Sequence, residues 1–375
     1  MPSLDLQDKS IRLHRFPLRK DDLLQPWDSA DEYLLKQFHD EGTGPGKSVL
    51  VINDTFGALA TALHDHHPTT WNDSHLSRLA LEHNLVLNDL SLENITFVAG
   101  DQTPPGSFDH VLLKIPKSLA HLEDVLLGLR HCLRPGSTVM AGGMIKHTPA
   151  RVYQLMEEIV GPVRTSLGWK KARLATATFD PELEHPERLP ECEYVLEDFG
   201  WTLTNRANVF SRDHLDLGTR LLLKHLPTSD LPLRIADLGC GNGVLALALA
   251  RNCPAASISG VDESHQAVAS ARENIQRTDL VERDITFSVA DGLAECEIGS
   301  LDLVVCNPPF HMGRATGDLI AWRMFEQAKN SLRKGGELRI VGNRHLGYHL
   351  KLKRLFGNCE ILGSNRKFVV LGAIR

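Results

Sequence analysis

Short apolar runs rich in Val, Ile and Leu alternate along the chain with longer stretches in which apolar residues recur every three or four positions. That alternation predicts a largely parallel sheet covered by helices. In the second half it predicts strands over Leu233–Asp237, Ser257–Asp262, Ile285–Ala290, Leu301–Asn307, Glu337–Val341 and Phe368–Ile374. Helical periodicity predicts Gly243–Arg251, Ser264–Arg277 and Asp318–Leu332, with Gly335-Gly336 as the C-terminal cap of the last. The prolines and acids clustered over Asp180–Phe199 read as a linker.

The pattern occurs twice. Ile95-Thr96-Phe97 followed by Asp101 matches Ile285-Thr286-Phe287 followed by Asp291. Ser107-Phe108-Asp109-His110-Val111 matches Ser300-Leu301-Asp302-Leu303-Val304, and Leu133-Arg134-Pro135-Gly136 matches Leu332-Arg333-Lys334-Gly335. Leu167-Gly168 pairs with Leu362-Gly363, and Ile52-Asn53-Asp54 with Ile235-Ala236-Asp237. Five anchors in one order at an offset near 190 residues indicate duplication, with drift from loop insertions. The expected division is a first domain over 1–180, a linker over 181–200 and a second domain over 201–375.

Composition adds little to this picture until it is divided. The 375 residues carry 41 Lys+Arg against 47 Asp+Glu, a net charge of −6. Residues 1–200 hold 29 acids and 19 bases (net −10), and residues 201–375 hold 18 and 22 (net +4). From Arg323 to Arg375 there are 12 bases and 3 acids, the asymmetry of a nucleic-acid-facing end. Seven cysteines without C-x-x-C spacing argue against a disulfide framework or a zinc ribbon. His64-Asp65-His66-His67 has no fitting partner ligands, so no metal is expected. No signal-like leader and no apolar run near the ~18 residues of a membrane span is present, so a cytoplasmic protein is expected.

Candidate chemistry concentrates in the second copy. Gly239, Gly241 and Gly243 occupy a strand–turn–helix in which glycine permits positive φ and close ligand approach. The spacing is G-x-G-x-G rather than the dinucleotide G-x-G-x-x-G, and Asp237 precedes it. A carboxylate there repels a pyrophosphate but favours the ammonium and sulfonium charges of S-adenosylmethionine. Asp262, ending the next strand, is expected to accept from both ribose hydroxyls, and Asp291 from the adenine amino group. The first copy keeps only Gly57 in the corresponding loop, Asp54-Thr55-Phe56-Gly57, and reads as catalytically silent.

After the fourth strand stands Asn307-Pro308-Pro309-Phe310-His311. An exocyclic amino nitrogen conjugated to a ring is a weak nucleophile, and acceptors on both its N–H bonds draw it towards sp³ geometry. The Asn307 oxygen and the Pro308 carbonyl suit that task, with the two prolines fixing the backbone. Phe310 offers a stacking face and His311 a proton relay. The first copy has Lys114-Ile115-Pro116-Lys117 here.

The second half therefore resembles class I S-adenosylmethionine-dependent methyltransferases of the N-P-P-[FY] type. A silent first copy beside an active second one is similar to bacterial guanine-N2 ribosomal RNA methyltransferases. With Asn208-Val-Phe210-Ser-Arg-Asp-His-Leu-Asp-Leu-Gly218 and Gly342-Asn-Arg344-His-Leu346, the chain most closely resembles the ribosomal RNA large subunit methyltransferase G family. The resemblance implies two tandem Rossmann-like α/β domains, each a mostly parallel seven-stranded sheet with helices on both faces, the first degenerate. It implies that Asp237, Gly239, Gly241, Asp262 and Asp291 hold the cofactor, that Phe210 covers it, and that Asn307 to Phe310 meet a guanine of 23S rRNA. The partner the resemblance implies is 23S rRNA, naked or in an assembly intermediate. Phosphate contacts are expected from Arg344, Lys351, Lys353, Arg354, Arg366 and Lys367, and from Lys170, Lys171 and Arg173 beside Trp169. The related 16S rRNA activity and protein glutamine methylation stay open as alternatives.

Overall fold

The computed structural model describes residues 2–7, 9–19, 22, 24–42, 46–185, 189, 191–309 and 314–375, the side chains of 314–316 excepted. The chain divides into two compact units, Met1–Pro190 and Glu191–Arg375.

The N-terminal unit runs β1 (Ser3–Asp5), β2 (Ser10–Arg12), α1 (Ser29–Asp40), β3 (Val49–Ile52), α2 (Ala58–Ala62), β4 (Thr69–Asn72), α3 (His75–Leu87), β5 (Thr96–Ala99), β6 (Phe108–Lys114), α4 (Leu119–Leu129), β7 (Leu133–Met144), α5 (Ala150–Ile159), β8 (Val163–Thr165) and β9 (Ala172–Thr178). Its sheet has the order β5-β4-β3-β6-β7-β9-β8, with β8 and β9 antiparallel additions to a parallel set. β3 is buried throughout, as a central parallel strand must be when both faces are covered. Leu50 and Ile52 pack with Leu122 and Leu126 of α4, whereas Val49 and Val51 pack with Leu34 of α1 and Leu59 of α2.

The C-terminal unit repeats the plan: β10 (Cys192–Leu196), β11 (Trp201–Asn205), α6 (Leu217–Leu223), β12 (Arg234–Leu238), α7 (Val244–Asn252), β13 (Ser257–Asp262), α8 (His265–Gln276), β14 (Ile285–Val289), β15 (Leu301–Cys306), α9 (Arg314–Ser331), β16 (Leu332–Asn343), α10 (Tyr348–Phe356), β17 (Glu360–Ser364) and β18 (Phe368–Ile374). The sheet order β14-β13-β12-β15-β16-β18-β17 is that of the first unit, strand for strand. Alternate residues again face two helical layers. Leu303 and Val305 pack with Leu245 of α7, while Val304 and Cys306 pack with Phe325 of α9 and Leu352 of α10.

Duplication extends to single hydrogen bonds. Ser74 and Ser264 cap α3 and α8 by accepting from Ser77 N and Ala267 N. Asn84 ties a preceding segment to a loop by accepting from His14 N and donating to His14 O and Phe56 O. Asn274 does the same with Thr204 N, Thr204 O and Asn242 O.

Two expectations are corrected. The expected linker contains β10, which pairs with β11 from Cys192↔Asn205 to Leu196↔Trp201 as a hairpin equivalent to β1–β2. Gly335-Gly336 does not cap a helix. α9 ends at Ser331 and Leu332 already pairs with Leu301, so the glycines form a bulge within β16 where the register slips. Gly335, at φ +78°, makes that turn as Gly136, at φ +89°, makes it in β7.

Candidate functional site

Four strand ends build the site. The registers Leu238↔Val261, Leu238↔Cys306 and Asp262↔Val289 bring the C-terminal ends of β12, β13, β14 and β15 to one edge of the sheet. The segments that leave this edge carry Gly239–Gly243, Asp262, Asp291 and Asn307. Chain order reverses there, the place where open α/β sheets bind ligands.

Each loop glycine has positive φ, +77° at Gly239, +53° at Gly241 and +84° at Gly243, but their duties differ. A Cβ at Gly243 would lie 3.0 Å from both Ala271 Cβ and Phe287 Cζ, so this glycine lets α7 seat against α8 and β14. A Cβ at Gly241 would meet nothing within 4 Å, and one at Gly239 would come no closer than 3.3 Å to Met324 Cε. The glycine kept in the first copy, Gly57, is the packing one, since its Cβ would stand 2.8 Å from Leu81 Cα. Gly241→Ala is therefore expected to cost about 1–2 kcal/mol for a left-handed alanine, whereas Gly243→Val is expected to cost about 3 kcal/mol or more from overpacking and strain. Thermal melts of the two variants beside cofactor titrations check this: Gly241→Ala weakens binding in a stable protein, and Gly243→Val lowers stability first.

Asp262 accepts from Gly241 N at 2.9 Å and from Ser264 N at 3.0 Å, so one carboxylate sets the loop and the start of α8 together. Asp237 lies elsewhere than the expectation of a cofactor contact required. It has no exposed surface beneath the loop, and its Oδ2 accepts from Ala246 N in the first turn of α7 at 3.0 Å. Its Oδ1 is buried with no partner among the described residues. Burial, with the Asp262 charge adding to it, pushes the Asp237 carboxyl up to about 7. Asp291 is engaged as well. The Arg323 guanidinium of α9 forks across both carboxylate oxygens, and Gln327 Nε2 donates to the Asp291 carbonyl at 3.0 Å. A carboxylate has about four acceptor positions, so such a fork leaves capacity for a further donor.

Asn307 follows β15 directly. Its Nδ2 donates to Thr219 Oγ1 at 2.8 Å and to Asp216 Oδ2 at 3.2 Å, both at the start of α6. Its Oδ1 is buried and has no partner among the described residues. An unpaired buried acceptor is costly, and Asn307 Oδ1 shares this state with Asp237 Oδ1 and Asn343 Oδ1. Pro308 is buried and Pro309 half-buried. Phe310 and His311 lie outside the described residues. Phe210 is half-exposed in the loop after β11, and that loop is fastened to α8 by Arg206 N on Ser270 Oγ (3.1 Å) and Asn208 N on Gln266 Oε1 (2.7 Å).

Groups outside the sequence motifs hold the glycine loop from behind. Asn242 Nδ2 donates to Tyr194 OH at 2.8 Å and to Asn205 Oδ1 at 2.9 Å, which ties the loop to the β10–β11 hairpin. The signal was available in the alternation of Trp201-Thr-Leu-Thr-Asn205, half of a hairpin whose turn contains Gly200 at φ +70°.

The basic residues separate into two groups. Lys351 pairs with Asp318 at 2.7 Å and Lys170 with Glu32 at 2.6 Å, while Arg344 Nη1 donates to the Asn365 carbonyl. Lys353, Arg354, Arg366, Lys367 and Lys171 are exposed. Arg354 lies over the Trp322 ring at 5.7 Å, and Arg173 is half-buried within β9. Among the described residues no group of His, Cys, Asp and Glu is arranged to hold a metal ion, and no helix is long and apolar enough to cross a membrane.

The family described as the RLMG N-terminal domain matches residues 1–181, and the methyltransferase small domain matches residues 200–372. The ribosomal RNA large subunit methyltransferase G of Stutzerimonas stutzeri (strain A1501) is 50% identical over 380 residues, and that of Pseudomonas aeruginosa (strain UCBPP-PA14) is 51% identical over 374; in both cases all of each chain is covered. Among solved structures, the T. thermophilus 16S rRNA N2 methyltransferase in complex with AdoMet and guanosine superposes with a TM-score of 0.78. It is 20% identical, covering 100% of this chain and 97% of that one, a likeness of fold.

Proposed function

Because the chain belongs to the ribosomal RNA large subunit methyltransferase G family, we propose that it methylates the exocyclic N2 amino group of a guanosine in 23S ribosomal RNA with S-adenosylmethionine, in the cytoplasm. The observation that carries the N2 reading is the buried, unpaired Asn307 Oδ1 at the strand-end edge. An amino group under attack needs acceptors for its N–H bonds, and this oxygen has no partner among the described residues.

The residues fit the cofactor. The open space at Gly241 admits close approach to the loop backbone, Asp262 and Asp291 supply acceptors, and Asp237 supplies buried negative charge beneath the loop. When bound, S-adenosylmethionine supplies a methyl group made electrophilic by its sulfonium. Asn307 and the Pro308 carbonyl accept from the guanine amino group and hold its lone pair in line. The nitrogen becomes acidic once it carries the new methyl group, so its proton leaves without a strong base. The N-terminal unit lacks the open glycines and serves to hold RNA or to support the catalytic unit.

Incubation with labelled S-adenosylmethionine and 23S rRNA, 16S rRNA or assembled subunits tests the reading, followed by nucleoside analysis. Label recovered as N2-methylguanosine from 23S rRNA supports it. Label in 16S rRNA alone, or on another atom, overturns it.

Cofactor binding is expected to depend on pH through Asp237. A cationic ligand favours its ionised form and draws its pKa down from about 7. Binding near pH 6.5 therefore releases a proton, and affinity rises as pH climbs towards 8. Calorimetric titration in buffers of different ionisation enthalpy measures that release, and Asp237→Asn removes it.

RNA binding is expected to use the exposed cations of α10 and the β17–β18 turn. Replacing Lys353 and Arg366 with Glu is expected to lower the slope of log K against log[salt] by about two, with cofactor affinity unchanged. A slope left at its original value removes these residues from the interface.

A further inference from the structure

We propose that Asp216 and Thr219 are positioning residues that lock the Asn307 side-chain amide so that its oxygen, and not its NH2, faces the base. The proposal rests on the reading of Asn307 as the acceptor for the guanine amino group.

An amide has two nearly isosteric ends, and only one is useful here. Turned by 180°, Asn307 would present N–H bonds to the N–H bonds of the substrate. What prevents this is the chemistry of its neighbours. The Asp216 carboxylate is an acceptor, and it already takes the Thr219 N–H at 2.8 Å as the N-cap of α6. The group facing it must therefore be a donor, and the NH2 donates to Asp216 Oδ2 and Thr219 Oγ1 together. Thr219 is buried, so water does not substitute for its hydroxyl. Between the two stands Gly218, where a Cβ would lie 2.9 Å from Asp216 Oδ2 and 3.3 Å from Phe368 Cε1. A larger residue there would push the cap off its position.

The first unit shows that this pair of positions is built to grip the residue that ends the fourth parallel strand. Asp28 caps α1 as Asp216 caps α6, and Asp31 stands three residues on, as Thr219 does. Between them is Lys114 of β6, the counterpart of Asn307, with Nζ 2.7 Å from Asp28 and 2.8 Å from Asp31. Two carboxylates face a cation in one copy. A carboxylate and a hydroxyl face a neutral amide in the other. The clamp changes in step with what it holds, and only the amide leaves an acceptor over.

Thr219→Val removes the hydroxyl and keeps the shape. It is expected to lower kcat about five- to tenfold, the loss of one net hydrogen bond, with the KM for RNA and the cofactor Kd within twofold of wild type. Thr219→Ser restores the acceptor and the rate. A second test avoids dependence on the fold of that variant. Asn307→Asp sets two carboxylates against each other and is impaired. Adding Asp216→Asn returns a donor to the pair and is expected to raise kcat about tenfold over the single variant. Wild-type kcat in Thr219→Val, a loss that serine does not recover, or no gain in the double variant overturns the proposal. Asn307→Ala separates the two levels: activity retained there defeats the acceptor reading itself, whereas an inactive Asn307→Ala beside a fully active Thr219→Val defeats the positioning alone.

Discussion

Asn307→Ala is expected to lower kcat by about 10²–10³-fold, as loss of one preorganised hydrogen bond to a developing charge does elsewhere. In the proposed reaction the amide acts through the transition state. As the guanine nitrogen gives its lone pair to the methyl carbon, it gains positive charge, its N–H bonds become stronger donors, and the bond to Asn307 Oδ1 strengthens with them. An interaction of that kind raises kcat and hardly changes substrate binding. In the proposed reaction Asp262 and the Gly239–Gly241 backbone hold the cofactor, so its Kd is expected to stay within twofold. Stability should fall by about 1–2 kcal/mol, because alanine gives up the donations to Thr219 Oγ1 and Asp216 Oδ2, offset in part by removal of an oxygen with no partner among the described residues. Single-turnover kinetics with saturating RNA measure the effect. An Asn307→Ala enzyme within fivefold of wild type would remove the acceptor from the mechanism.

Much of this site is legible along the chain, because backbone turns and strand ends leave local marks. The glycine loop, Asp262 at the end of its strand and Asn307-Pro308-Pro309 after theirs all stand where periodicity puts them, and β18 spans Phe368–Ile374 as its unbroken apolar run predicts. Pairings between distant residues leave no such mark. Nothing near Asp291 announces Arg323, which comes from another helix 32 positions later. Nor does the spacing between Asp237 and Gly239 disclose that the carboxylate is buried beneath the loop; that depends on how tightly α7 closes over β12. The hairpin at Cys192–Asn205 was hidden for a different reason. Prolines and acids just before it carry the composition of a linker, and composition averaged over a window outweighed a short alternation. For Asp291 and Asp237 the missing information was what a second element delivers.

Lys114→Met is expected to destabilise the N-terminal unit by about 3–5 kcal/mol, the range for breaking one partner out of a buried ion pair. The Lys114 side chain is 14% exposed and that of Asp31 is 7% exposed. Burial opposes the Lys114 charge, but Asp31 and Asp28 overcome it and hold the ammonium above the ordinary lysine value. Titration of Lys114 itself therefore removes none of its contribution below the unfolded lysine pKa near 10.4, and that loss comes only as pH rises through the higher folded value. Without the ammonium, Asp31 faces Asp54, whose carboxyl burial already pushes up to about 7, with Asp31 adding to the shift. Both acids can escape only by taking protons, so the variant's deficit should be largest above pH 7 and shrink towards pH 5. At about 2–4 °C per kcal/mol for a unit of this size, a fall in melting temperature of roughly 10 °C is expected. Asp31→Leu added to Lys114→Met should return most of it, since an apolar pair of similar bulk needs no counter-charge. Calorimetry of the full chain at pH 5 and pH 8 measures both effects. A single variant that melts with wild type at pH 8 would mean that Lys114 is not what neutralises the clamp of the N-terminal unit, and that its acids are held by protons alone.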